Sequence, residues 1–139
     1  MNGNEFIAWL LRSPFHGMLS NGMMLITVTG RKTGNQYTLP VGYFLEGDTL
    51  WVLTSRERTW WRNVQSGADV GLLLRGKEAR GFAELEVDES IVASRLNDYL
   101  HHEPRAARPL GIHVENGTPN AGDLARVSKD RLFVKICIE

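Results

Sequence analysis

Between Met23 and Ser55 the chain reads MMLITVTGRKTGNQYTLPVGYFLEGDTLWVLTS, and this stretch limits the fold more than any other. β-Branched and aromatic residues fill both flanks of Gly30-Arg31-Lys32-Thr33-Gly34, the pattern of a strand, a tight turn and a second strand. Glu46-Gly47-Asp48 predicts another turn. The expected strands are therefore Met23 to Thr29, Gln36 to Leu45 and Thr49 to Ser55. Pro40 brings no amide hydrogen to its strand, so it marks an edge, a bulge or a point where a ligand meets the backbone.

Beyond this stretch, Thr59 to Ser66 predicts a helix of little more than one turn, capped by Thr59 and stopped by Gly67, with Trp60 and Val64 on one face. A fourth strand is expected over Asp69 to Leu74, and Arg75-Gly76-Lys77 turns it into a fifth that ends near Val87. Glu78, Arg80, Glu84 and Glu86 alternate with small or apolar residues there, so one face is wet. Asp88 caps a helix running to about His102, with Val92, Leu96 and Tyr99 on its buried stripe. Pro104 and Pro109 bracket an irregular stretch, Asn116 to Asn120 reads as a loop, and Ala121 to Val127 as one more helical turn. Arg131 to Ile138 is a last strand with Leu132, Val134, Ile136 and Ile138 on one face. Near the start, Phe6, Ile7, Leu10 and Leu11 repeat at helical spacing after Asn4, predicting a short amphipathic helix closed by Pro14; it is too short and too poorly basic for strong membrane binding, so packing on the core is expected ahead of covering a barrel end or lying on a membrane surface. Six antiparallel strands with helices inserted late make a mainly β chain, a small closed or split barrel spanning residues 1–139 as one domain.

Sixteen basic residues balance sixteen acidic ones, so no overall field favours nucleic acid and any cationic site is local. The single Cys137 excludes an internal disulfide and an all-cysteine zinc site, and it suits a reducing cytoplasm. No signal peptide and no membrane-spanning segment is expected. A nucleophile elbow, a Walker loop and a G-x-G-x-x-G opening a helix are all missing. His101 and His102 are adjacent and point about 100° apart on a helix, so they cannot share a metal as an i, i+4 pair can. His16 and His113 stand alone, and all four read as surface or hydrogen-bonded histidines. The cations say more. Arg31 and Lys32 occupy the first turn; Arg56, Arg58 and Arg62 lie beside Trp60-Trp61; and the third strand ends on Thr54-Ser55-Arg56. Cations and hydroxyls at strand ends can receive a phosphate or carboxylate, although a merely soluble turn has the same composition. The tryptophan pair can be core, a cation–π partner or a wall for a flat aromatic ligand.

Thr29-Gly30-Arg31-Lys32-Thr33-Gly34, Leu39-Pro40, Thr54-Ser55-Arg56 and Trp60-x-x-Asn63-Val64 together resemble the deazaflavin-dependent nitroreductase family. That family is one of the flavin-binding split β-barrels related to pyridoxamine-phosphate oxidases. The likeness is good from Leu25 to about Leu85 and looser from Asp130-Arg131-Leu132 to Cys137. It implies a six-stranded antiparallel split barrel and reduced coenzyme F420, which donates hydride to a quinone, a nitro compound or an enone. It also implies that Arg31, Lys32 and Arg56, with Thr33 in the same turn, hold the cofactor's phosphate and acidic tail. Pro40, Leu53, Thr54 and Ser55 would line the ring system, with Trp60, Asn63 and Val64 closing it. Because the cofactor supplies the hydride, no catalytic side chain is expected from the protein.

Two departures stand out. Tyr37 occupies a place where many members carry a basic residue, and the loop after Ser55 lacks the family's glycine-rich insertion. The phosphate would then fall to the Arg56 and Arg58 side chains more than to loop amides. FMN in the same barrel, or a binding protein for a flavin or haem without turnover, are the alternatives. The substrate pocket is expected from the least family-like parts, the first helix around Trp9 and the stretch from Tyr99 to His113. Related split barrels commonly pair two-fold, so a homodimer is expected.

Overall fold

In the computed structural model, which describes residues 22–139, the predicted hairpin forms as β1 (Met23–Thr29) and β2 (Gln36–Gly42). They pair antiparallel from Met23 opposite Gly42 to Thr29 opposite Gln36. The expected N-terminal helix, with Trp9 and His16, lies outside the described residues. One expectation needs correcting at once. The strand predicted over Gln36 to Leu45 breaks at Tyr43, and β3 (Phe44–Glu46) pairs with β4 (Thr49–Ser55) instead of β1.

That break explains the barrel. After β5 (Ala68–Leu74), β6 (Lys77–Glu86) and β9 (Arg131–Ile138), the strand order is β2-β1-β5-β6-β9-β4-β3. Its two outer strands, β2 and β3, are separated in the chain by Tyr43 alone. The ends of the sheet are thus one continuous run of backbone, and the sheet has to curl round to meet itself. Counting β2 and β3 as that one run, this is the six-stranded antiparallel split barrel. Pro40 sits on β2, an outer strand of the sheet, the placement expected for a residue without an amide hydrogen.

The chain divides into two compact units. The first holds the described part of residues 1–53 with Arg58–Leu85 and Val134–Glu139; the second holds Thr54–Glu57 and Glu86–Phe133. In the first, Met24, Leu25, Ile26, Val28, Leu50, Val52 and Ile136 are buried, each side chain contributing about 1.5–3 kcal/mol. Lys135 places its ammonium 5.9 Å over the ring of Trp51. On β6, Glu78, Arg80 and Glu84 are exposed while Gly81 and Ala83 are buried, the alternation expected from sequence. At Gly81 the space between β6 and β9 has no room for a side chain: a Cβ there would lie 2.6 Å from Ile136 Cγ2 and 3.0 Å from the Cys137 carbonyl oxygen.

In the second unit, α1 (Glu89–His102) packs on α2 (Ala121–Asp130). Asp88 caps α1 as predicted, its Oδ1 accepting from the main-chain nitrogens of Ser90 at 2.9 Å and Ile91 at 3.2 Å. The Ser90 hydroxyl, 2.6 Å away, is the largest cause of the lowered pKa of the Asp88 carboxyl, followed by these two main-chain bonds. The buried stripe of α1 is Val92, Leu96 and Leu100, an i, i+4 row, and not Tyr99. Tyr99 is half-buried, and its phenol is pushed up first by burial and then by the Glu103 carboxylate. The loop over Asn116 to Asn120 contains a small hairpin, β7 (Val114–Glu115) with β8 (Thr118–Pro119), turned by Asn116 at φ 51°. The single turn predicted from Ala121 is a ten-residue helix, capped by Asn120, whose Oδ1 accepts from the Asp123 nitrogen at 2.9 Å. Leu132 and Phe133 at the start of β9 are both buried, so that end is covered on two faces and not one. No helix among the described residues is long and apolar enough to cross a membrane.

Candidate functional site

The turn between β1 and β2 is closed by its own backbone. Gly30 donates to the Asn35 carbonyl at 2.7 Å, Gly34 donates to the Gly30 carbonyl at 2.9 Å, and the Asn35 nitrogen donates to Thr33 Oγ1 at 3.2 Å. Tyr37 lies over it. A Cβ on Gly30 would stand 2.8 Å from Tyr37 Cε2 and 2.9 Å from Thr33 Oγ1, so only glycine leaves room for the ring. The Tyr37 hydroxyl is 3.3 Å from Thr33 Oγ1. Arg31, Lys32 and Thr33 are left with their side chains exposed on a compact, internally bonded loop.

A second element holds this loop in place. Residues Trp60–Val64 form a 3₁₀ turn that packs on β1 and β5. Thr59 makes no side-chain cap, contrary to expectation; its carbonyl accepts from the Arg62 nitrogen at 3.1 Å, the i to i+3 bond of a 3₁₀ turn. Trp60 and Val64 are buried and anchor the turn in the core. Asn63 bridges outward: its Oδ1 accepts from the Arg31 nitrogen at 3.1 Å, and its Nδ2 donates to the Trp60 carbonyl at 3.1 Å. The Arg31 guanidinium donates to Gln65 Oε1 at 3.3 Å. The structure thus brings Arg31, Asn63 and Gln65 together, from positions more than thirty apart in the chain.

Lys32 and Arg58 are exposed and make no hydrogen bond or ion pair with any described residue, while Arg62 lies 5.5 Å over the ring of Trp61. Pro40 is exposed on β2 opposite Leu25, and Leu53 on β4 is half-buried. All of these residues belong to the first unit. Thr54, Ser55 and Arg56 belong to the second. Thr54 is buried there, Ser55 Oγ accepts from the Glu57 nitrogen at 3.3 Å, and the Arg56 guanidinium donates to three main-chain carbonyls.

The donor set of the first unit fits an anionic group. Arg31 and Lys32 on an internally bonded turn, with Arg58, carry three exposed positive charges that no described carboxylate neutralises, and such cations favour phosphate and carboxylate oxygens. Exposed, apolar Pro40 offers surface of the kind a flat ring needs. A separate polar cluster in the second unit is a structural tie. Asp123 Oδ2 accepts from both the main-chain nitrogen and Nδ1 of His113, each at 2.9 Å. The main-chain bond is the larger cause of the lowered pKa of the Asp123 carboxyl, with the imidazole bond second. Sequence reasoning missed Gln65 and the seat of Tyr37 on Gly30. Only the glycine beside a β-branched run hinted at either.

The protein-family model for F420H(2)-dependent quinone reductase matches residues 14–116. No curated protein matches the sequence. Among solved structures, a candidate pyridoxamine 5'-phosphate oxidase of Listeria innocua is similar at 15% identity, covering 98% of this chain and 92% of that one, with a TM-score of 0.55. The protein Atu2129 of Agrobacterium tumefaciens, whose function is unknown, reaches a TM-score of 0.60 at 15% identity over 97% of this chain and 54% of its own. A protein described as an F420 reductase has a TM-score of 0.50 at 15% identity over 91% of this chain and 94% of its own.

Proposed function

The chain belongs to the F420H(2)-dependent quinone reductase family, and on that premise we propose that it uses reduced coenzyme F420 to reduce a small electrophile, with quinones the first class to try and nitro compounds and enones the next. The observation that carries the reading is the pair of exposed cations, Arg31 and Lys32, on a turn locked from within and fastened by Asn63. In this reading Arg31, Lys32 and Arg58 hold the cofactor's phosphate, Thr33 braces the turn, and Pro40 and Leu53 face its ring. Trp60 and Val64 act from the core by seating the 3₁₀ turn, and Asn63 acts by fixing where Arg31 stands. When bound, the cofactor supplies a hydride. The chain's own part is to bind, orient and exclude water.

Titration of the purified protein with coenzyme F420 and, separately, with FMN tests this through quenching of its tryptophans. Saturable binding of coenzyme F420, followed by oxidation of the reduced cofactor when a quinone is added, is the expected result. Tight FMN binding with no response to coenzyme F420 would move the chain to a flavin-dependent reading, and binding without turnover of any acceptor class to a carrier. For assembly we retain the two-fold pair, and light scattering at micromolar concentration checks it: a mass near the 15.6 kDa of one chain excludes the pair.

A further inference from the structure

The resemblance assigns Arg56 to the cofactor's phosphate, but its surroundings in the second unit describe other work. Nε donates to the Arg131 carbonyl at 2.9 Å; Nη2 donates to the Val87 carbonyl at 2.7 Å and to the Ser128 carbonyl at 3.3 Å. The main-chain nitrogen of Arg56 donates to the Asp130 carbonyl at 2.9 Å. Ser128 and Asp130 lie in the last turn of α2, where the final four carbonyls of a helix have no partner within it. The residue after α2, Arg131, continues directly into β9, so α2 ends without a glycine-type cap of its own. Arg56 therefore takes two of the orphan carbonyls, one by side chain and one by backbone, and its positive charge meets the negative end of the helix dipole. The same guanidinium reaches Val87, next to the Asp88 cap of α1.

We propose that Arg56 is a positioning residue: it caps α2 from outside the helix, fixes the Thr54–Ser55 segment through its own backbone, and does not ligate the cofactor's phosphate. The fork geometry needed for bidentate phosphate contact is already turned to carbonyls, and Nη1 is the one guanidinium nitrogen with no acceptor among the described residues. The statement about the phosphate rests on the function proposed above; the capping role does not. Anion binding then falls to Arg31, Lys32 and Arg58.

The test uses Arg56→Gln and Arg56→Lys in the full chain. Without cofactor, both are expected to lower Tm by about 5–10 °C and to speed amide exchange over residues 127–131. Lysine should not rescue, because a single ammonium cannot reproduce a planar fork aimed at separate carbonyls. With coenzyme F420, the salt dependence of Kd should stay that of the wild type in both variants, whereas Lys32→Ala should flatten it. Unchanged Tm and exchange, or full rescue of both by lysine, overturns the capping role. A salt dependence flattened in Arg56→Gln as in Lys32→Ala overturns the claim about the phosphate. If Arg56→Gln does not fold, Arg56→Lys carries the same readouts. If the wild type binds no coenzyme F420, the proposed function fails while Tm and exchange still decide the cap.

Discussion

Replacing Gly81 with valine is expected to cost the fold heavily, and Gly81→Ala alone should lower stability by about 1–3 kcal/mol. The new Cβ would arrive 2.6 Å from Ile136 Cγ2 and 3.0 Å from the Cys137 carbonyl oxygen, with Leu72 Cδ1 at 3.5 Å. Neither close neighbour can yield cheaply. Ile136 is fully buried, and the Cys137 carbonyl is backbone of β9, the strand next to β6. Valine adds two more methyls to a space already too small for one, so partial unfolding is expected. Urea unfolding followed by far-ultraviolet circular dichroism measures both. Gly42→Ala is the control, since a Cβ there meets no described atom closer than 3.7 Å and should leave the midpoint within experimental scatter. A Gly81→Ala midpoint equal to the wild type's would show that β6 and β9 can separate more easily than their packing suggests.

The largest expected effect on function comes from Lys32→Ala. Lys32 is exposed on the β1–β2 turn and has no partner among the described residues, so no described contact depends on its charge. Tm should stay put. Binding of coenzyme F420 should weaken by about 1.5–3 kcal/mol, or roughly 10- to 150-fold, the cost of losing a charge-assisted contact. Added salt should narrow the gap between variant and wild type, because the lost interaction is between charges near the surface. A dissociation constant unchanged by the substitution, with the fold intact, would reduce the basic turn to an ordinary soluble loop. Asn63→Ala provides a graded comparison: it keeps every cation but frees the Arg31 nitrogen, so a smaller loss is expected and its salt dependence should match the wild type's.

How much of this was legible beforehand follows from the range of the forces involved. The hairpin over Met23–Gly42, the wet face of β6, the Asp88 cap and the stop at Gly67 were readable because each depends on neighbours within a few residues: period-two burial, a side-chain oxygen two or three positions before an amide, a glycine at positive φ. The motif residues of the turn and of Trp60 to Val64 were readable in the same way, as residue types at fixed spacing. The break at Tyr43 was not, because apolar and aromatic residues continue on both sides of it; only the demand that one run of chain pair with β1 at one end and β4 at the other splits it. Leu100 displaced Tyr99 from the buried row of α1 because a helix face is chosen by what packs on it, here α2. Arg56 was the hardest case. Its acceptors are main-chain carbonyls as far as 75 residues away, and a carbonyl is the same atom in every residue, so no letter in the sequence marks it. The sequence by itself determined the β1–β2 hairpin, the alternation of β6, the cap of α1 and which side chains carry charge. The tertiary structure decided where those charges are directed, because that depends on backbone groups brought together only when the chain closes on itself.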